Sequence, residues 1–341
     1  MKNTFSSFIL KGSLAIATLL VPCAGMAQKS MERGLKTIST AQAENYVGFL
    51  ADDLLEGRDA GMRGGQLAAK YIVSMLKDWG IAPLFSTGYL QPFDVAMVTK
   101  PQRGRWEVHP DSIAKVQATG AYRLRHLNNV LAKIPGKRVD EYIVIGAHYD
   151  HEGVFEDIQP DGIYNGADDN ASGVSAVMQI AKAFVESGEQ PERTIIFAFW
   201  DGEEKGLLGS RHFVANWTAP AQIKGYMNFD MVGRGPLHNP AHLTYFFTAS
   251  HPAFGEWLKA DMQRHHFAFD PDYRAWENPV GGSDNGSFAK IGVPIVWYHT
   301  EGHPDYTRPS DHADKLDYRK LTDITRAAYL CAWRMAHEKH F

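Results

Sequence analysis

Between Tyr142 and Asp230, three apolar runs each stop at acidic residues or histidine. They read YIVIGAHYDHEG, IIFAFWDGEEKGLLGSRHF and GYMNFDMVG, and the loop IYNGADDNASG lies between the first two. Runs this apolar suit strands covered on both faces. Segments with helical character separate them, so the stretch alternates strand, helix, strand with right-handed crossovers. In an open α/β sheet, ligands gather just beyond the carboxyl ends of the strands. Those ends and the loop present His148, Asp150, Asp169, Glu203, Glu204 and Asp230. Neutral histidine and carboxylate are donors suited to zinc, cobalt or manganese.

His148 and Asp150 alternate around Tyr149 at the first strand end. When one ring nitrogen binds metal, the other usually donates to a group that fixes the tautomer. Asp150 is placed to be that group. Asp168 and Asp169 stand side by side ahead of a helix expected over 170–185. Either could serve as a helix cap, and a carboxylate with two oxygens could also bridge two cations. Glu203 and Glu204 adjoin as well, and neighbours at a strand end point in different directions. One can ligate while the other accepts a proton from water. Asp230 adds a carboxylate from a third strand.

With these residues in place, the chain resembles peptidase family M28, the aminopeptidase Y and leucyl-aminopeptidase-like zinc exopeptidases. That family carries HxD, GADDxASG, EE ahead of GLxGS, a strand-end Asp and a late His. The matches are His148-Tyr149-Asp150, Gly166 to Gly173, Glu203-Glu204 with Gly206 to Ser210, and Asp230. The resemblance implies a three-layer α/β fold, a twisted mixed β-sheet flanked by helices, with a paired zinc site. It implies that Asp169 bridges, that His148 and Asp230 complete one metal shell, and that Glu204 binds the second ion. Glu203 would be the general base, and Asp150 would orient His148. The implied function is metallo-aminopeptidase action on short peptides or protein N-termini, with two zinc ions per chain, or cobalt or manganese in their place. Dipeptidase, carboxypeptidase and glutaminyl cyclase chemistry fit the same scaffold. An exported, non-catalytic metal- or peptide-binding homologue is an alternative of a different class.

The pattern departs at the last ligand. Family members read DYHxPSD there, and this chain reads Asp305-Tyr306-Thr307-Arg308-Pro309-Ser310-Asp311. Neutral threonine is a poor zinc ligand. His303, His312 or another histidine could take the place, the second ion could be held more weakly or with water, or the site could be altered. Tyr298 is a candidate oxyanion donor or a core residue. Tyr273, Trp276 and Phe288 could line a side-chain pocket or pack in the core.

The remaining sequence sets bounds. With 341 residues, 44% hydrophobic and 22% charged, the chain has the composition of a globular enzyme. A formal charge of −4 supplies no basic surface for nucleic acid. Residues 1–27 read as a signal peptide: Lys2 and Lys11 lead into an apolar core too short to span a bilayer, and Gly25 and Ala27 are the small residues of a cleavage site. Lipid attachment at Cys23 and a retained anchor are rival readings. Export to the periplasm or beyond, without a stable membrane anchor, is the expectation. Residues 28–341 read as a single domain, with 98–138 a possible small irregular insertion. After cleavage Cys331 would be alone, at helical spacing in an apolar run, and reads as a buried core thiol with no disulfide partner.

Overall fold

Side chains alternate between the two faces of a strand, and here both faces are apolar. Ile143, Ile145 and Ala147 point to one core cluster and Val144 to the other. Ile195, Phe197 and Phe199 share the first cluster, while Ile196, Ala198 and Trp200 join the second. Such strands are stable only between two helical layers, and that is the architecture of this computed structural model, which describes residues 27–100, 104–277 and 282–341. The leader expected over 1–27 lies outside the described residues, except Ala27.

The strands are β1 (Ala82–Pro83), β2 (Leu90–Val98), β3 (Tyr122–Ile134), β4 (Arg138–His148), β5 (Gly153–Val154), β6 (Ile163–Tyr164), β7 (Arg193–Trp200), β8 (Ile223–Phe229), β9 (His242–Thr248), β10 (Asp270–Trp276) and β11 (Ile295–His299). Nine of them form one mixed sheet in the order β1-β3-β7-β4-β8-β11-β9-β10, with β2 paired to β3. The central strands β7, β4, β8 and β11 run parallel. Their carboxyl ends therefore lie along one edge, and the three acidic strand ends of the sequence meet there. β3 is antiparallel to β7, and β9 is antiparallel to β11.

Helices Thr40–Leu50, Gly173–Ser187 and Tyr318–His337 cover one face, and Leu208–Asn216 and Asn285–Ala289 lie on the other. Ser39 caps the first, its hydroxyl accepting from the Gln42 N–H at 3.4 Å. Gly80 follows helix Arg63–Asp78 at φ +71°, the left-handed region open to glycine. Cys331 is buried in the last helix, and burial pushes its thiol up to about 12, which leaves it inert at neutral pH.

The described residues of the stretch 98–138 include regular structure. They contain helix Pro110–Gln117 and the thirteen-residue β3, which pairs directly with β7 in the main sheet. Phe288 and Tyr298 are core residues, each fully buried. Phe288 stacks on Tyr226 at 3.9 Å, and Tyr298 stacks on Phe229 at 5.1 Å. No described helix is long and apolar enough to cross a membrane.

Candidate metal centre

The loop between β6 and helix Gly173–Ser187 carries the pivotal carboxylate. Gly166 sits at φ +58°, and a Cβ there would run into the Asp169 carbonyl and the ring of His151. The irregular turn Ala167–Ser172 follows, with every residue buried. Asp311 holds this turn: its Oδ2 accepts the N–H of Asp168 at 2.9 Å and of Asp169 at 3.1 Å. Asp168 faces away from the ligands, its Oδ1 accepting the Gly233 N–H at 2.6 Å.

Two donor sets converge on Asp169. The first is His148, Asp169 and Asp230; the second is His151, Asp169 and Glu204. Within each, the ligand atoms all lie within 4.8 Å of one another. His148 Nε2 is 3.4 Å from Asp169 Oδ1 and 3.5 Å from Asp230 Oδ1. His151 Nδ1 is 3.8 Å from Asp169 Oδ2 and 2.7 Å from Glu204 Oε1. The two oxygens of Asp169 thus face two different histidines, the placement a bridging carboxylate requires.

The donor types and spacing fit zinc. Zn–N and Zn–O bonds near 2.1 Å at a tetrahedral angle put neighbouring donors about 3.4 Å apart, as found around His148. His148 Nε2 is buried with no hydrogen-bond partner among the described residues, so a polar atom is left to be satisfied. Its other nitrogen is committed: Nδ1–H donates to the Asp150 carbonyl at 3.1 Å, so Nε2 is the nitrogen that faces the carboxylates and that a metal would take in place of a proton.

The Asp150 side chain does something further. Its carboxylate accepts the N–H of Glu203 at 3.0 Å and of Glu204 at 3.4 Å. It therefore fixes the strand end that carries both glutamates, while its own carbonyl sets His148.

Crowding of buried carboxylates shapes their protonation. Burial pushes Glu203 well above the usual carboxylate range; Asp230, Asp284 and Glu204 add to the rise and His148 opposes it. Glu204 is pushed up to about 8 and Asp169 to about 6, with burial the main cause in both. Burial works the same way on Asp230, but His148 outweighs it and holds Asp230 below its ordinary value. A cation among these groups would relieve their mutual repulsion and restore the charged forms.

Asp169, Glu203, Glu204 and Asp230 open into one cavity of about 190 Å³, whose far wall includes Trp297, His299 and Tyr306. His299 is fixed there, its Nδ1–H donating to the Asp230 carbonyl at 2.7 Å.

All five strand-end and loop residues expected at the metals come together, with Asp150 behind them. Neither His303 nor His312, the candidates for the place of the missing late histidine, lies in either donor set among the described residues. His303 Nε2 lies 3.3 Å from Asp168 Oδ2, and His312 lies 3.5 Å from Asp161 at the surface. The histidine opposite Glu204 is His151, three residues beyond His148. The signal was present in the tetrapeptide His-Tyr-Asp-His, but the turn that folds His151 back depends on a tertiary contact, its N–H donating to the Arg58 carbonyl at 3.2 Å. The cavity phenol is Tyr306, not Tyr298. Trp276 is 46% exposed beside a neighbouring hollow that shares Trp297 and His299 with the metal cavity.

Donors gathered at the carboxyl edge of a three-layer α/β sheet, with a separate carboxylate beside them, define the plan of a zinc exopeptidase fold. The chain belongs to peptidase family M28, whose model matches residues 129–332. It is 30% identical over 191 residues to leupeptin-inactivating enzyme 1 of Streptomyces exfoliatus, covering 55% of this chain and 38% of that protein. It is 28% identical over 236 residues to a probable leucine aminopeptidase of Arthroderma otae, covering 66% and 63%. The matched parts thus span less than two thirds of either relative. Among solved structures, the aminopeptidase from Aneurinibacillus sp. strain AM-1 superposes with a TM-score of 0.67 at 16% identity, covering 91% of this chain and 97% of that one. That likeness is one of fold.

Proposed function

We propose that the protein is a zinc-dependent aminopeptidase that removes the N-terminal residue of peptides, and that two zinc ions would share Asp169 as a ligand. The observation that carries the reading is the division of labour at one cavity: two donor sets share Asp169, and Glu203 lines the same cavity outside both sets. His148 and Asp230 would hold one ion, His151 and Glu204 the other. When bound, the zinc pair supplies Lewis-acid polarisation of the scissile carbonyl and makes water a competent nucleophile at neutral pH.

The chain's own residues supply the rest. Glu203 accepts a proton from the attacking water and passes it to the leaving amine. Its backbone is fixed through Asp150, so its carboxylate is aimed before substrate arrives. Tyr306 is the phenol at the cavity. Burial raises it to about 12, and the charges of Asp169, Asp230 and Glu204 add to the rise, so it keeps its proton and can donate to the developing oxyanion. A hollow of about 190 Å³ is small beside pockets of several hundred Å³ that take larger ligands, and it suits one terminal residue. The carboxylates around it favour a free α-ammonium. The names of the M28 relatives support peptide hydrolysis, and the apolar start of the chain supports a periplasmic or secreted place of action.

The test is a peptide panel offered to zinc-loaded protein with free, N-acetylated and C-amidated ends. Release of the first residue from free and C-amidated peptides, with N-acetylated ones spared, is expected. Equal cleavage of acetylated peptides would sink the aminopeptidase reading. Loss on C-amidation would favour a carboxypeptidase, and ring closure of N-terminal glutamine without cleavage a cyclase.

A further inference from the structure

Arg58 is a charged residue that the mechanism above does not use, and it is only 1% exposed. Among the described residues it makes no ion pair. Its guanidinium instead donates to four main-chain carbonyls: Nε to Tyr149 at 2.9 Å, one terminal nitrogen to Leu50 at 2.5 Å and Asn165 at 2.6 Å, and the other to Gly166 at 2.9 Å. Tyr149 lies between the ligand His148 and Asp150, and His151 follows two residues later. Asn165 and Gly166 lead into the turn that carries Asp169. Arg58 also receives the His151 N–H on its own carbonyl. The carboxylates whose charge it senses are Asp169, Asp150, Asp311 and Glu204.

We infer that Arg58 is a positioning residue that ties the two ligand-bearing loops together and places a permanent positive charge behind them. The inference rests on the reading of the site as a metal centre. Its physical basis is that an unpaired buried cation is costly unless its donors are satisfied, and here three of the four carbonyls that satisfy it, those of Tyr149, Asn165 and Gly166, belong to the ligand-bearing loops. A planar fork with five donors reaches three chain segments at once; a lysine ammonium has one nitrogen and cannot. Asp311 also holds the turn, accepting the N–H of Asp168 and Asp169, so the turn is fixed by a buried cation at its start and a buried carboxylate within it. Loss of either leaves the second donor set, His151-Asp169-Glu204, without a fixed geometry. Groups that orient metal ligands in this way typically account for about 10–100-fold in metal affinity.

Arg193 provides the control. It is 3% exposed and pairs with Glu141 at 2.8 Å, and its terminal nitrogens also bond carbonyls, those of Met335, Glu338 and Lys339, none of them in the ligand loops. Zinc is titrated calorimetrically into metal-free wild type, Arg58→Lys and Arg193→Lys, with cobalt(II) absorption spectra of each and kinetics at low and saturating zinc. Arg58→Lys is expected to lose about 10–100-fold in affinity for one ion, to show an altered cobalt spectrum, and to regain kcat at high zinc with KM little changed. Arg193→Lys is expected to melt at lower temperature with zinc affinity within about twofold of wild type. Three results would overturn the inference: unchanged affinity for both ions in Arg58→Lys, an equal affinity loss in Arg193→Lys, or an Arg58→Lys chain that stays unfolded at saturating zinc while Arg193→Lys folds. Wild type that binds no zinc would instead sink the metal-centre reading itself, and the inference with it.

Discussion

At the residue scale, a side chain's role follows from what already holds it. Glu203 and Glu204 are chemically alike and adjacent, yet Glu204 meets His151 at 2.7 Å while Glu203 faces the cavity outside either donor set. Replacing Glu203 by Gln keeps the shape and removes the proton acceptor. We expect kcat to fall by about 10²–10⁴-fold with zinc content unchanged, read by steady-state kinetics and metal analysis of the same sample. Loss of zinc in step with activity would mean that Glu203 is a ligand. Tyr306→Phe deletes only the cavity hydroxyl. It should lower kcat by about 10²-fold if that hydroxyl meets the oxyanion, with KM altered far less. An unchanged kcat would remove Tyr306 from the mechanism.

At the element scale, the site hangs on loops pinned by a few polar contacts. The 300–312 segment, which supplies Tyr306, is tied down through Asp305, whose carboxylate binds Arg234 at 2.7 Å, Lys315 at 2.9 Å and Ser310 at 2.6 Å. Burial alone would raise Asp305, but the hydrogen bonds from Ser310, Lys315 and Arg234 outweigh it and hold it below its ordinary 3.8. A carboxylate depressed by folding contributes stability above its unfolded value, and that contribution drains away as pH falls toward the folded one. Urea melts of metal-free protein from pH 5 down to pH 3 should therefore lose stability less steeply in Asp305→Asn than in wild type. Parallel slopes would contradict this. The sheet itself is held by packing: Phe288→Ala removes a fully buried ring between Tyr226 and Trp200 and should cost about 3–5 kcal/mol in the same melts. A smaller loss would mean the site collapses around the gap. What was legible in the sequence followed the same division. Apolar runs and their acidic ends mark strands and candidate ligands by local pattern, so β4, β7, β8 and the five residues that gather at the candidate site could be read directly. Residues 98–138 could not, because β3 has exposed and buried positions mixed along its length and finds its place only by pairing with β7. His151 escaped for a related reason: its direction is set by Arg58, ninety-three positions earlier in the chain.

At the scale of the whole molecule, parallel strand order does the assembling. β7, β4 and β8 bring Glu203 and Glu204, His148, and Asp230 to one edge, and the loop after β6 drops Asp169 between them. The account stands on a histidine that lies outside the family's usual late position: His151 in place of Thr307. Zinc per chain, measured by mass spectrometry after dialysis against buffered zinc in wild type, His151→Ala and His312→Ala, tests it most directly. Two ions in wild type and His312→Ala, falling to one in His151→Ala, is the predicted result. Two ions retained in His151→Ala, or a loss confined to His312→Ala, would contradict it.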